Sequence, residues 1–412
     1  MRFQINPKAT FHDGSPVTVA LVREMLKAQL QANRAALVAY KSITAVEVDD
    51  GGGVIIRLSQ PEPFLVSDLA AFNLYHPSQP SLGFGPFRQI ERDDNASRIQ
   101  LEAHAGYYRG KPGMPKLVIQ GFEEQRTAWA ALLRDEIDAV HEITPGSIDF
   151  AEVDSSIKTY PFVRPYFIQL AFNMRHPVLG LRAVRQAMSQ AIDRDEIIKA
   201  GLNGKGVVAD GPIWPFHWAY GTAQATYKYN PEAAGLRLDA AGLQRKPSTE
   251  TGRMPSRFRF TCLTVPDSRY EKLAIVLQKQ LAEIGVDMQI EVLPLRNLVE
   301  RLQAGTYEAF LLERSSGRSL VWIYTSFHSK FFVTGYTAAD AALERLRGAA
   351  TEPETRAAVA DLQRIFYADP PAVFLAWPQV ARAVSTRFVV PAERGRDVIG
   401  TLWQWRPNPD VR

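Results

Sequence analysis

Cysteine is almost absent from this chain, since Cys262 is the only one among 412 residues. A single thiol excludes an intramolecular disulfide and a cluster of thiolate metal ligands. We expect Cys262 to pack as a small apolar residue, because free cysteines are among the most buried residue types. The lack of disulfides does not decide the compartment, because a chain of this length can stabilise itself without them.

Long hydrophobic runs are missing too. No uncharged apolar stretch approaches the roughly 18 residues that a membrane-spanning helix needs. The first residues, Met1 to Pro7, read MRFQINP, which lacks the apolar core of a signal peptide and predicts a strand followed by a turn. The sequence as it stands therefore contains no export signal, and on this ground alone we expect the chain to stay in the cytoplasm.

An excess of one charge is likewise absent, with 48 basic and 44 acidic residues interspersed along the chain. This balance is typical of a solvated surface, so we expect no nucleic acid partner. The seven histidines show neither HxxxH nor HxH spacing, and we expect each of them in a turn or on the surface. The motifs GxSxG, GxxxxGK[ST] and GxGxxG do not occur. We therefore expect no enzyme activity, no metal site and no cofactor.

The composition is that of a folded protein, with 46% hydrophobic residues. At about 150 residues per domain, the length predicts two or three structural units. Strand and helix patterns alternate, most clearly in the strand Arg257–Thr264, the helix Ser268–Ile284 and the strand Val286–Leu293, with Gly285 ending the helix. Such a β-α-β unit predicts an α/β fold with mixed sheets flanked by helices.

The segment Phe11–Thr18 reads FHDGSPVT and predicts a tight turn at Gly14, followed by a helix from Val19 to about Asn33 with Thr18 as its cap. This octapeptide resembles the "FHDG(T/S)P(L/V)T" signature of the family 5 extracellular solute-binding proteins. These proteins are the dipeptide, oligopeptide and nickel receptors of ABC importers.

Further segments resemble the same family, in the same order, from residue 1 to about 385. They are Gly83–Phe87, Tyr107–Pro112, Arg134–Ala139, Tyr166–Asn173, Val184–Arg194, Tyr229–Gly242 and Gln280–Val286. One of them departs from the family pattern, because Asp135 stands where glycine is usual. The ordered series is much more specific than any one motif.

The resemblance implies a two-lobed periplasmic-binding-protein fold of type II with an extra α+β subdomain. Residues 1–82 would form this small subdomain of the first lobe. Residues 83–170, completed by about 381–412, would form the core of the first lobe, and residues 171–380 the second lobe. In other members the FHDG motif lies well inside the chain, so the resemblance also leads us to expect an N-terminally shortened chain.

An aromatic loop between Trp214 and Tyr220 resembles the family's loop after the second short helix and is a candidate ligand site. The candidate residues are Trp214, Phe216, Trp218 and Tyr220. Aromatic side chains in a loop offer large stacking surfaces to a bound solute. The alternative is that they fill the bottom of the second lobe as core residues.

A second candidate segment runs from Glu313 to Trp322 and reads ERSSGRSLVW. In peptide-binding members an aspartate at this place holds the amino group of the peptide, and this chain has none. We therefore hypothesise an anionic or polyhydroxylated ligand that contacts Arg314 or Arg318 and stacks on Trp322. The alternative is that these arginines lie on a solvated loop. Asn173, at the end of a family strand, completes the candidate ligand-binding residues.

The resemblance implies the substrate-binding component of an ABC importer. It would capture a small solute, peptide-like, sugar-like or anionic, between two lobes and deliver it to a membrane permease. We expect a monomer in the periplasm or another extracytoplasmic space. Two alternatives remain open, namely the ligand-sensing domain of a cytoplasmic transcriptional regulator and a truncated, non-functional receptor.

Overall fold

The computed structural model describes residues 1–33, 39–70, 73–74, 76, 78–79, 81–221, 225–246, 255–331, 334–393 and 396–411. The strands are β1 (Arg2–Gln4), β2 (Ile43–Val48), β3 (Gly53–Leu58), β4 (Phe87–Asp93), β5 (Arg98–Ala103), β6 (Lys116–Gln120), β7 (Ala139–Ile143), β8 (Ile157–Val163), β9 (Tyr166–Phe172), β10 (Gly206–Val208), β11 (Phe258–Thr264), β12 (Val286–Val292), β13 (Ala309–Ser315), β14 (Ala372–Ser385), β15 (Phe388–Val389) and β16 (Arg406–Pro407). The α-helices are α1 (Val19–Asn33), α2 (Leu65–Ala70), α3 (Gln125–Leu133), α4 (Pro145–Ala151), α5 (Arg182–Gln190), α6 (Arg194–Leu202), α7 (Pro231–Ala240), α8 (Ser268–Glu283), α9 (Leu295–Ala304), α10 (Val321–Phe327), α11 (Asp340–Gly348) and α12 (Glu352–Ala368).

The chain divides into two compact units. The first comprises Met1–Phe162 and Val380–Arg412, and the second comprises Val163–Gln379. The lobe boundary expected from the sequence, between residues 170 and 171, falls inside β9. This strand belongs with the second unit because it pairs with β13 along one edge and with the first part of β14 along the other.

The first unit begins with a three-stranded antiparallel sheet in the order β1-β3-β2, which α1 contacts. The predicted turn and helix are confirmed. Gly14 has a φ of +88° and its N–H donates to the carbonyl oxygen of Phe11. The hydroxyl of Thr18 accepts from the N–H of Leu21 at 3.3 Å, in the first turn of α1.

The rest of the first unit contains a second antiparallel sheet, in the order β4-β5-β6, and the strands β7 and β8, which pair with the later part of β14. Asp135 connects α3 to β7 with a φ of +59°. A left-handed backbone is the conformation that glycine adopts most easily. The glycine usual at this place in the family therefore has a local reason, and Asp135 fulfils the same geometry at some cost in strain.

The second unit is built on strands in the order β10-β14-β9-β13-β11-β12. The β-α-β unit predicted from the sequence is confirmed, since β11 and β12 are parallel and α8 joins them. Gly285 ends this helix with a φ of +78°. Cys262 on β11 is fully buried in the core, which helices α5 to α8 cover with their apolar residues.

Arg185, in the Val184–Arg194 motif, binds residues that lie far away in the sequence of the second unit. Arg185 on α5 is buried and forms an ion pair with Asp369. It also donates to the carbonyl oxygens of Pro370 at 2.8 Å and Leu179 at 3.1 Å. A buried cation with several acceptors fixes its neighbours in place. Within the described ranges, no helix combines the length and apolarity that crossing a bilayer requires.

Candidate functional site

Three separate chain segments meet around Ser316 in the second unit. We call this place the Ser316 junction and define it as residues 164–166, 214–218 and 313–322. The N–H of Ser316 donates to the carbonyl oxygen of Pro165 at 2.8 Å, and its hydroxyl accepts from the N–H of Trp214 at 3.1 Å. The hydrogen bond between Trp214 and Ser316 joins residues that are 102 positions apart. The aromatic loop and the arginine segment predicted from the sequence are therefore brought together.

His217 strengthens the contact between the two loops. Its Nδ1 accepts from the N–H of Ala219 at 3.1 Å, and its ring is hydrogen-bonded to the backbone of Arg318. Burial lowers the pKa of His217 to about 4, with the nearby Arg356 contributing to the shift. The turn or surface position expected for this histidine is wrong in one respect, because the side chain is buried between the loops.

The junction presents exposed aromatic rings. Trp322 is 50% exposed, Trp218 is 44% exposed and Phe216 is 41% exposed. Trp214 and Tyr220 are half-buried, and the rings of Trp214 and Phe216 are 5.4 Å apart. Core packing therefore does not account for the three exposed rings, which are available to stack on another molecule.

The arginines of the junction differ in their surroundings. Arg314 is half-buried, and its Nη2 donates to the hydroxyl of Ser326 at 3.1 Å. Burial lowers the pKa of Arg314 to about 10, so its guanidinium is still charged at neutral pH. Arg318 is exposed on the surface. The two arginines named by the sequence hypothesis thus offer a half-buried charge and a solvent-facing one.

Two further arginines lie beside aromatic rings of the junction. The guanidinium of Arg164 is 5.1 Å from the ring centre of Tyr166, and that of Arg356 is 5.1 Å from the ring centre of Trp218. Arg356 also donates to the carbonyl oxygen of Trp218. Cation–π contacts of this kind orient aromatic faces and add positive charge around them. The sequence did not single out Arg164 or Arg356, because neither has a motif of its own.

Arg194 and Asp210 are two opposite charges beside the aromatic loop. A cavity of about 10 Å³ is lined in part by Ser189, Arg194, Asp210 and Tyr227. Arg194 is buried and donates to the carbonyl oxygens of Phe374 and Ser189, and burial lowers its pKa to about 10 against the opposing charge of Asp210. Burial, helped by the same carboxylate, raises the pKa of Tyr220. This volume is about that of one water molecule.

Asn173 lies in the turn that follows β9. Its Nδ2 donates to the carbonyl oxygen of Tyr307 at 2.8 Å, and its Oδ1 accepts from the N–H of Arg175 at 3.1 Å. Both ends of the buried amide therefore have partners within the chain. Among the residues that the structure describes, no three histidine, cysteine, aspartate or glutamate side chains are grouped to hold a metal ion.

Relatives of known name match parts of this chain. The dipeptide-binding protein of Escherichia coli (strain K12) is 29% identical over 231 residues, which are 56% of this chain and 42% of that protein. Heme-binding protein A of Haemophilus influenzae is 27% identical over 208 residues, which are 50% of this chain and 36% of that protein. The chain thus aligns with less than half the length of each of these curated relatives.

Solved structures resemble the chain over nearly its whole length. NikA from Brucella suis in complex with Fe(III)-EDTA superposes with a TM-score of 0.85 at 18% identity and covers 99% of this chain and 88% of its own. AppA from Bacillus subtilis in complex with a nonapeptide gives a TM-score of 0.70 at 21% identity, covering 99% and 87%. These similarities confirm the expected fold, that of the two-lobed periplasmic binding proteins with mixed sheets and flanking helices.

The family assignment rests on a longer match. The family model described as "Bacterial extracellular solute-binding proteins, family 5 Middle" matches residues 1–329. This range contains the FHDG turn, the buried Arg185 and all three segments of the Ser316 junction. Because the match covers most of the chain, the protein belongs to family 5 of the bacterial extracellular solute-binding proteins.

Proposed function

We propose that the protein is the substrate-binding component of an ABC importer, which captures a small solute and delivers it to a membrane permease. The observation that carries this proposal is the family match over residues 1–329. The named relatives support it, since their names describe binders of dipeptide and heme. The protein makes and breaks no bond in this role, acts as a monomer, and works outside the cytoplasm, in the periplasm.

The proposed ligand site is the Ser316 junction together with Tyr220. The rings of Trp214, Phe216, Trp218 and Trp322 supply stacking surface, and a buried aromatic group contributes up to about 4–6 kcal/mol from its roughly 150–250 Å² of area. The arginines Arg314 and Arg318 supply charge. Asn173, the remaining candidate from the sequence, lies at the opposite end of β9 from the junction and its amide is already bonded within the chain, so we leave it out of the proposed site. A peptide-like, sugar-like or anionic solute is compatible with these groups.

A binding screen on the purified protein tests the proposal. Isothermal titration calorimetry with di- and tripeptides, sugars and sugar acids should find a solute that binds with a Kd in the micromolar range or below. Replacing Trp322 or Trp218 by alanine should weaken that binding by about tenfold or more, which is about 1.4 kcal/mol, while the melting temperature changes little.

Trp403 offers a matched control for the tryptophan variants. It lies in the first unit, where Arg109 and Tyr107 pack against its ring. We expect Trp403→Ala to lower the melting temperature and to leave the affinity unchanged. If the junction variants instead lost stability and kept full affinity, these tryptophans would be core residues and the proposed site would be wrong.

A further inference from the structure

Positive charge exceeds negative charge at the Ser316 junction. Its three segments contain the arginines Arg164, Arg314 and Arg318, and Glu313 is their one acidic residue. The carboxylate of Glu313 is already engaged, because it binds Arg164 at 3.1 Å and lies 3.6 Å from a guanidinium nitrogen of Arg269. The acidic group of the junction is therefore neutralised by its own neighbours. Arg318 places an exposed positive charge beside it.

A half-buried arginine increases the attraction for an anion. Arg314 is half-buried, and its Nη2 donates to the hydroxyl of Ser326. A charge with little solvent around it acts over a longer range than one in water, because the effective dielectric constant is lower. Arg356, beside Trp218, adds a further cation close to the exposed rings. The local field therefore favours a negatively charged group.

Arg318 and Trp322 form the accessible part of this arrangement. Arg318 is exposed, and within the described residues its side chain has no ion pair. The hydrogen bond from His217 fixes its backbone, and Gly317 next to it brings the indole of Trp322 against the main chain. A solvent-facing guanidinium on an anchored backbone can bind a carboxylate through two parallel hydrogen bonds. The neighbouring indole of Trp322 is half exposed and can stack on a ligand.

We infer that the ligand of the Ser316 junction is an anion whose carboxylate binds Arg318 and whose flat, apolar part stacks on Trp322. This inference rests on the proposed function, because it names the ligand class of the same site. Of the two arginines that the sequence suggested, it selects Arg318, because Arg318 is the more exposed and Arg314 is already bonded to Ser326. A ligand whose only charge is a terminal ammonium is disfavoured, because it would approach Arg318 and Arg314, and among the described residues of the junction the one carboxylate, that of Glu313, is already paired.

Matched sets of small molecules that differ in charge test the inference. One set is indole-3-acetate, indole-3-acetamide and tryptamine; a second is N-acetyl-alanyl-phenylalanine and alanyl-phenylalanine amide; a third is glucuronate, glucose and glucosamine. Calorimetry on the full chain should show that an anion binds at least about tenfold more tightly than its neutral and cationic partners. Added salt should weaken this binding, as it does for exposed charge pairs.

The variant Arg318→Gln should remove the preference for the anion and leave the melting temperature unchanged, because the side chain is exposed. Arg296→Gln is the control, since Arg296 is an exposed arginine on α9, which contributes no residue to the junction. The Arg296→Gln protein should keep the preference for the anion. Tighter binding of the neutral or cationic members, or a preference that survives Arg318→Gln, would overturn the inference while leaving the transport function standing. If no member of any set and no solute of the wider screen bound, both proposals would fall together.

Discussion

The indole of Trp322 lies directly over Gly317. A β-carbon added to Gly317 would stand 2.1 Å from Cδ1 of Trp322, far inside contact distance. The backbone of Gly317 also has a φ of +62°, in the left-handed region that side chains rarely adopt. The position of the exposed indole therefore depends on the absence of a side chain at Gly317.

Replacing Gly317 by alanine should displace Trp322. We expect a loss of about 1–3 kcal/mol in the free energy of unfolding, from backbone strain and from repacking of the indole. The tryptophan emission spectrum should change, and the same substitution in a Trp322→Phe background should leave the spectrum unaltered. Gly348→Ala is the control, because a β-carbon at Gly348 would meet no atom within 4 Å and the residue has no positive φ. An emission change that persisted without Trp322 would contradict the expected displacement.

The stability of the second unit should fall at acid pH because of His217. Burial lowers the pKa of this histidine to about 4 from an ordinary value of 6.5. Between these values the unfolded chain binds a proton that the folded chain does not, so stability decreases as the pH falls from 6.5 towards 4. The full effect is at most about 3 kcal/mol. Urea unfolding at about pH 7, 5.5 and 4.5 measures it.

The variant His217→Gln separates this histidine from the others. Other histidines of the chain contribute equally to both proteins, so their effect cancels in the difference. We expect the variant to be less stable than the wild type at neutral pH and to lose less on acidification. If the free energy of unfolding fell equally with pH in the two proteins, His217 would not be the group that titrates.

Local elements of the second unit are largely predictable from the sequence, but the joining of the candidate loops is not. The β-α-β unit around α8 follows from apolar periodicity and the glycine that ends the helix. The contact of Trp214 with Ser316 spans 102 residues and depends on where the sheet places both loops. Neither apolar periodicity nor a turn motif predicts a contact between residues so far apart in the chain. The sequence names the loops, and only the fold shows that they touch.

Buried polar residues are the second kind of feature that the sequence does not explain. Arg185 is part of a family motif, which identifies its importance without giving its role. Its role depends on Asp369 and Pro370, which follow α12 and lie far along the chain. His217 is similar, because a histidine between aromatic residues predicts a loop position, and its burial depends on the partner loop. Partners distant in sequence decide the role of both side chains.

Removing the side chain of Arg185 should be severely destabilising. The change Arg185→Ala leaves Asp369 and the carbonyl oxygens of Pro370, Leu179 and Gly180 without this donor, and breaking a buried ion pair costs about 3–5 kcal/mol. Arg182→Ala, three residues earlier on the exposed side of α5, should cost no more than about 0.5 kcal/mol. Urea unfolding of both variants measures the difference. A loss below about 1 kcal/mol for Arg185→Ala would show that the buried ion pair is replaceable.

Cys262 should be chemically inert in the folded protein. Its side chain is fully buried, and burial raises the pKa of the thiol to about 12 from an ordinary value of 9.0. The reactive thiolate is therefore scarce at mildly alkaline pH, and a reagent can reach it only when the core opens. We expect a chromogenic aromatic disulfide to react at least about 100-fold more slowly with the native chain than with the chain in concentrated urea. Cys262→Ala should give no reaction in either state, and fast stoichiometric labelling of the native protein would show that β11 is accessible to solvent.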